Sequence, residues 1–344
     1  MNTAPTLVPL AAGAAGGTGG PGGTGGTGGP GGTGVYVWAP GAAGSWGLAN
    51  CGLLVADGEA ALVDTPYTLD RTDDFLAAAR AVLPPGTEIT TVLTTHGNGD
   101  HGWGNQRVRG AQLVATRRTL EHQCVEPTPE QLRHLVEETD PEQPLGWYFR
   151  RHFGRFDFRG ITVQRPTRTF EGRLDLRVGD LPVELHDVGP AHTVGDMVVH
   201  LPTERIVFAG DVVFAGDHVC HWAGPLEGVA RAGERILAWD PDVVVPGHGP
   251  LLDQDGLRGH IAYLRDLSEQ ASSLHARGLT PTEAARHLIE EDRYPDLHLP
   301  ERLVITLASE FRHLDASDAE PDILALMSDC SEIAWQRETQ SALR

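Results

Sequence analysis

Thr94 to Gln106 reads TTHGNGDHGWGNQ. His96, Asp100 and His101 fall within six residues of that stretch, with Asn98 where a further histidine would continue the alternation. Imidazole and carboxylate groups are the donors that suit zinc-class ions, yet one loop cannot supply a whole coordination shell. Its meaning depends on whether distant segments carry donors of the same kind in comparable turns.

Working outward, EITTVLTT is a strand that runs straight into His96. VYVW, NCGLLVAD and EAALVDTP upstream, and AQLVAT downstream, are further strand-like runs, while DDFLAAARAVL has helical spacing. Residues 117–150 read as mainly helical. A second batch of strands follows in LPVELHDV, MVVHLP, RIVFAGD and DVVVPGHG, with GVARAGERILAW as a helix among them. Two strand batches, each with its own helices, predict two sheets packed face to face with helices outside. Beyond residue 268 the chain is predicted to be helical, and LTPTEAARHL opens with a capping box: Thr280 as N-cap, Pro281 next, Glu283 closing it. Residues 16–34, almost all glycine with threonine and proline, read as a flexible linker or tail.

His96, Asp100, His101, His192, Asp211 and His248 share one feature. Each lies at or just after the end of a predicted strand in a glycine-rich turn: THGNGDHG, GPAHTVGD, FAGDVV and VPGHGP. A single histidine is ordinarily a core or surface residue. Four such loops in order point instead to side chains converging on one edge of a sheet.

The order HGNGDH, GPAHTVGD, FAGD, VPGHGP resembles the metallo-β-lactamase fold superfamily over roughly residues 35–267. The resemblance implies an α/β chain folded as an αββα sandwich, with one or two Zn²⁺ per chain at the edge of the two sheets. It implies one complete group, Asp100, His101 and His248 with Asp211 bridging. A second group keeps His96, His192 and the shared Asp211, with Asn98 replacing the family's other histidine. Asp64 in LVDTP matches an acid found behind the ligands, although an ordinary strand-end aspartate would look the same. The implied chemistry is attack of hydroxide on an acyl carbonyl, with Asp100 orienting the nucleophile and Asn98 donating to the substrate oxygen as catalytic residues. The domain reading is a disordered glycine-rich tail over 1–34, the main domain over 35–267 and a helical extension over 268–344.

Composition narrows the reaction. The formal charge of −20 disfavours nucleic acid and anionic membranes as partners. All 27 basic residues are arginine, and the four cysteines, Cys51, Cys124, Cys220 and Cys330, form no C-x-x-C pair. With no export signal or membrane span in the sequence, a cytoplasmic location is expected. HGNGDH with GWGNQ and the later Trp-Ala-Gly-Pro loop resembles the cyclase/thioesterase branch of bacterial aromatic polyketide pathways. That implies an acyl substrate presented by an acyl carrier protein; a general zinc thioesterase or lactonase, and a metal-poor binding protein, are the alternatives. Residues 147–173 hold seven arginines against two acids. Arg150 and Arg151 there are candidates for contact with a carrier or its phosphate, against a helix of internal salt bridges. His218, His221 and Trp222 in GDHVCHWAGPLEG follow Asp211 closely and are expected to line the pocket, against a loop packed away from it.

Overall fold

The computed structural model describes residues 6–10, 33–41, 43–123 and 126–342. A seven-stranded sheet runs in simple chain order from β1 (Leu7–Leu10) through β2 (Gly34–Trp38), β3 (Cys51–Ala56), β4 (Glu59–Val63), β5 (Glu88–Leu93) and β6 (Gln112–Thr116) to β7 (Arg168–Phe170). It is antiparallel up to β4 and parallel from there on. The second sheet holds β8 (Arg173–Val178), β9 (Leu181–Asp187), β10 (Met197–Leu201), β11 (Ile206–Phe214) and β12 (Val243–His248). Only β11 and β12 run parallel within it.

The sheets meet across a dry layer in which Leu54, Val63, Leu93 and Val114 face Leu185, Met197, Val199 and Phe208. Gly52 permits that approach, because a Cβ there would stand 2.6 Å from the Phe208 ring. Helix α1 (Leu69–Val82) covers the outer face of the first sheet through Phe75, Leu76 and Ala79. After the short α2 (Gly99–Gly102) come α3 (Arg117–His122), α4 (Pro129–Glu137) and α5 (Pro144–Phe153). Helices α6 (Leu226–Leu237) and α7 (Gln254–Ala276) cover the second sheet, followed by α8 (Pro281–Glu290), α9 (Leu303–Leu314) and α10 (Ile323–Ala342). The result is the αββα sandwich with a C-terminal helical extension, as read from the sequence. The capping box at Thr280 is formed on both sides.

Three details differ from the sequence reading. The disordered tail expected over 1–34 falls mostly on residues outside those described, but Leu7–Leu10 within it pairs with β2. Helix α7 runs unbroken across residue 268, so no linker separates the extension. Leu303, Val304, Leu307 and Phe311 of α9 share one buried cluster with Val212, Val229 and Leu264, so the extension packs into the main core. The third difference is that the arginine-rich stretch ends in strands β7 and β8, where RLDLRV alternates exposed with more buried positions.

Candidate metal centre

The donors arrive from both sheets. β5 leads to His96, and Met197 N–H donates to the Thr95 carbonyl at 2.8 Å, joining the two sheets beside it. Asp100 and His101 lie on α2, His192 in the turn before β10, and His248 at the end of β12. Asp211 sits where β11 slips register against β12 between Gly210 and Phe214, with Gly210 at φ +52°. Such a bulge re-aims a side chain that a regular strand would bury elsewhere. Gly247 leaves the space that Asp211 fills, since a Cβ there would fall 1.8 Å from Asp211 Oδ1.

The donor atoms form two groups, His96–His192–Asp211 and Asp100–His101–His248, each with its atoms within 4.8 Å of one another. Asp211 lies between the groups. Its Oδ1 is 3.2 Å from His101 Nε2, and its Oδ2 is 3.4 Å from His248 Nε2 and 3.5 Å from His192 Nε2. Asp100 Oδ2 is 3.4 Å from His248 Nε2. The structure thus brings together all six side chains expected to meet.

A second layer fixes which ring nitrogen faces inward. Thr95 donates its N–H to Asp64 Oδ1 and its hydroxyl to Asp64 Oδ2, both at 2.7 Å. The Thr95 oxygen therefore accepts from His96 Nδ1, 3.0 Å away, leaving His96 Nε2 a bare lone pair. That atom is buried without a hydrogen-bond partner. His101 Nδ1–H donates to Asp64 Oδ2 at 2.8 Å, and His192 Nδ1–H donates to the Cys220 carbonyl. These partners on the Nδ1 side turn the Nε2 atoms of three imidazoles toward one small volume, the arrangement in which second-layer acceptors set metal-ligating histidines. The donor set fits zinc.

Asn98 belongs to the same volume. Its Oδ1 lies 2.6 Å from His192 Nε2. Two acceptors that close repel unless a cation lies between them or the amide is turned to present Nδ2.

Charge in the site is lopsided. Burial and the neighbouring His101 hold the His96 imidazole well below its ordinary value. Burial opposes ionisation of Asp100, but His101 and His248 draw its carboxyl down to about 2. Burial likewise opposes ionisation of Asp211, and His248, His101 and His192 outweigh it. His248 is lowered by burial yet pushed up to about 9 by Asp211 and Asp100. The carboxylates, in short, demand positive charge beside them.

A cavity of about 1490 Å³ opens onto Asn98, Asp100, His192, Asp211 and His248. This exceeds the roughly 300–1000 Å³ of ordinary small-molecule pockets. Tyr67, Trp103, Phe149 and Phe153 line it, Arg302, Arg312 and Met327 come from the extension, and Trp222 lines it as expected.

The other expected substrate contacts lie elsewhere. His218 is buried, bonded to the Tyr263 hydroxyl at 2.9 Å, outside the cavity lining. His221 is fully buried against His192 and Phe214, one layer behind the wall. Arg150 donates to the carbonyls of Val136, Glu137 and Thr139 at the end of α4, and Arg151 pairs with Glu338 at 3.4 Å. Arg159 and Arg173 pair with Asp157 and Asp175. The arginine-rich stretch is therefore largely satisfied internally.

Sequence reasoning missed the supports. Asn50 donates to the carbonyls of Pro246 and Gly249, both at 2.9 Å, holding the His248 turn. Asp196 accepts from the N–H groups of Ala191 and Thr193, shaping the His192 turn. The Asp of GPAHTVGD was a visible signal for the second; nothing local marks Asn50. Asp64, whose role the sequence left open, stands behind the site at φ +59°.

The profile described as the Metallo-beta-lactamase superfamily matches residues 44–248. The chain is 26% identical over 215 residues to an acyl-coenzyme A thioesterase, MBLAC2, of Gallus gallus, covering 58% of this chain and 72% of that one. It is 24% identical over 220 residues to a metallo-beta-lactamase type 2 of Bacteroides fragilis, covering 59% and 71%. Among solved structures, the sec-alkylsulfatase Pisa1 from Pseudomonas sp. aligns at TM-score 0.58 and 17% identity, over 81% of this chain and 48% of that one. With the profile spanning more than half of its length, the fold it implies, and a donor set of the matching kind, this chain belongs to the metallo-beta-lactamase superfamily of metal-dependent hydrolases.

Proposed function

We propose that this protein is a zinc-dependent thioester hydrolase with cyclase capacity, acting on a bulky acyl chain, and that its substrate is an aromatic polyketide held by an acyl carrier protein. The observation that supports this reading is the large, aromatic-walled cavity opening directly onto the His/Asp cluster. A small lactone or acetyl group would leave most of that volume to water. The acyl-coenzyme A thioesterase relative supports the thioester class, and an acyl-coenzyme A of comparable bulk is the second reading it favours.

Asp100, His101, His248 and Asp211, together with His96 and His192, would hold zinc, which would supply Lewis acidity and lower the pKa of water toward neutrality. The protein's own groups do the rest. Asp100, kept ionised, lines the cavity and accepts a hydrogen bond from the attacking water, orienting it. Asn98, partly exposed to the cavity, turns its amide N–H toward the acyl oxygen and stabilises charge developing there. Phe214 stacks on His248 with 5.6 Å between ring centres and holds the imidazole plane. Trp222, Phe149 and Phe153 exclude water from the acyl chain and fold it back on itself for ring closure.

The test is a panel of acyl-coenzyme A thioesters of rising size, carrier-bound poly-β-ketones, lactones and a cephalosporin, assayed with elemental analysis of the purified protein. Bulky aromatic thioesters are expected to lead in kcat/KM. Faster turnover of lactones or β-lactams, or protein free of transition metal, overturns the reading.

A further inference from the structure

A second set of metal-ligating side chains lies on the second sheet, outside the cavity lining. Glu184 and His186 are two apart on β9, so both project from one face. His200 on β10 stands directly opposite Glu184 in the antiparallel register. Glu184 Oε2 is 3.2 Å from His186 Nε2 and 3.1 Å from His200 Nδ1. All three ligand atoms lie within 4.8 Å of one another. We propose that Glu184, His186 and His200 form a separate two-histidine, one-carboxylate site for a zinc-class divalent ion.

The surroundings suit that role. Trp239, just past the end of α6, lies against both imidazoles, with ring centres 4.5 Å from His186 and 4.6 Å from His200. The indole limits how far either ring can turn. Arg173 Nη2 binds Glu184 Oε1 at 3.0 Å, leaving Oε2 to face the histidines. His186 is almost fully buried, and burial keeps its imidazole below its ordinary value, the neutral form a metal requires. Donor spacings near 3 Å match the edges of a coordination shell with bonds of about 2.0–2.2 Å. Three protein ligands leave a fourth position open.

One contact opposes loading and makes the proposal sharp. Arg235 Nη2–H donates to His186 Nδ1 at 3.0 Å. The ring proton therefore sits on Nε2 and is donated to Glu184. A metal needs the Nε2 lone pair, so that proton must move to Nδ1, where Arg235, having no acceptor, can only repel it. Arg235 is exposed but also lies over the Trp239 ring, 5.7 Å from its centre, so it must leave both contacts for the site to load. Loading is thus coupled to release of Arg235.

The test uses the full chain, stripped with chelator and dialysed against Zn²⁺. Wild type is expected to hold one zinc more per chain than either Glu184→Gln or His200→Gln, with turnover kept in both variants. Ni²⁺ should quench a saturable share of tryptophan fluorescence that is missing in Trp239→Phe. Arg235→Leu, at an exposed position, should tighten zinc binding by roughly tenfold. Equal zinc content in wild type and the two folded variants overturns the proposal. Should those variants fail to fold, unchanged zinc affinity in Arg235→Leu overturns it instead.

Discussion

Asp64 Oδ2 accepts the Nδ1–H of His101 at 2.8 Å while also taking the hydroxyl of Thr95. One carboxylate thus sets the inward face of His101 directly and of His96 through Thr95. Asp64→Asn should weaken metal binding by about 10–100-fold, the usual cost of losing such a partner. Competition for zinc with a chromophoric chelator measures it; an unchanged affinity would show that the rings are held by packing alone.

Asn98 faces His192 from within the donor set. Asn98→His should raise the zinc content of this His/Asp centre toward two. Turnover of the proposed thioester substrate should nevertheless fall by about 10²–10³, because an oxyanion donor is lost. More metal combined with equal or faster turnover would mean that the amide serves only as a substitute ligand.

His248→Ala and Asp211→Ala each remove a donor from the shared centre. Both should abolish activity and lower zinc content in elemental analysis. Full zinc content in either variant would shift the metal-binding role to the remaining donors.

Acid should destabilise the fold through buried histidines outside the metal centre. Burial lowers His152 and His218 to about 3 and His260 to about 4. Each stays neutral in the folded chain but takes a proton when unfolded near pH 6.5, so stability is lost as pH falls below that value. Between pH 7 and pH 5 the cost is about 2 kcal/mol per histidine. Chemical denaturation of His152→Phe, which keeps a ring against Tyr148, should show a shallower slope over that interval than wild type. Parallel slopes would refute the assignment.

Leu7–Leu10 lies at the far edge of the first sheet, remote in strand order from β5 and β6. Removing residues 1–10 should lower the melting temperature by about a few degrees and leave turnover unchanged. A large loss of turnover would connect this strand to the site.

The ligand set was legible because its chemistry is local. A histidine or aspartate after an apolar run, flanked by glycine, announces both its donor type and its exposure at a strand end. The walls of the cavity were not legible, since Tyr67, Phe149, Arg302 and Met327 meet only through packing between distant segments. The same limit explains Arg150. In sequence it is one cation in a basic stretch, but in space it closes the carbonyl end of α4. RLDLRV, which overlaps the basic stretch at Arg173, carries the strand period of β8 in its alternation. His218 followed Asp211 closely in sequence, while the loop turned it toward Tyr263.

The extension lends Arg302, Arg312 and Met327 to the cavity wall, while every donor facing the metal centre falls between His96 and His248. Part of the cavity wall is therefore written outside the stretch that carries the donors. After gene duplication, drift in the last quarter of the protein could reshape the substrates admitted without disturbing the metal-facing donors. The close packing of α9 against Val212 and Val229 sets the limit: side chains there are free to vary only where they face the cavity.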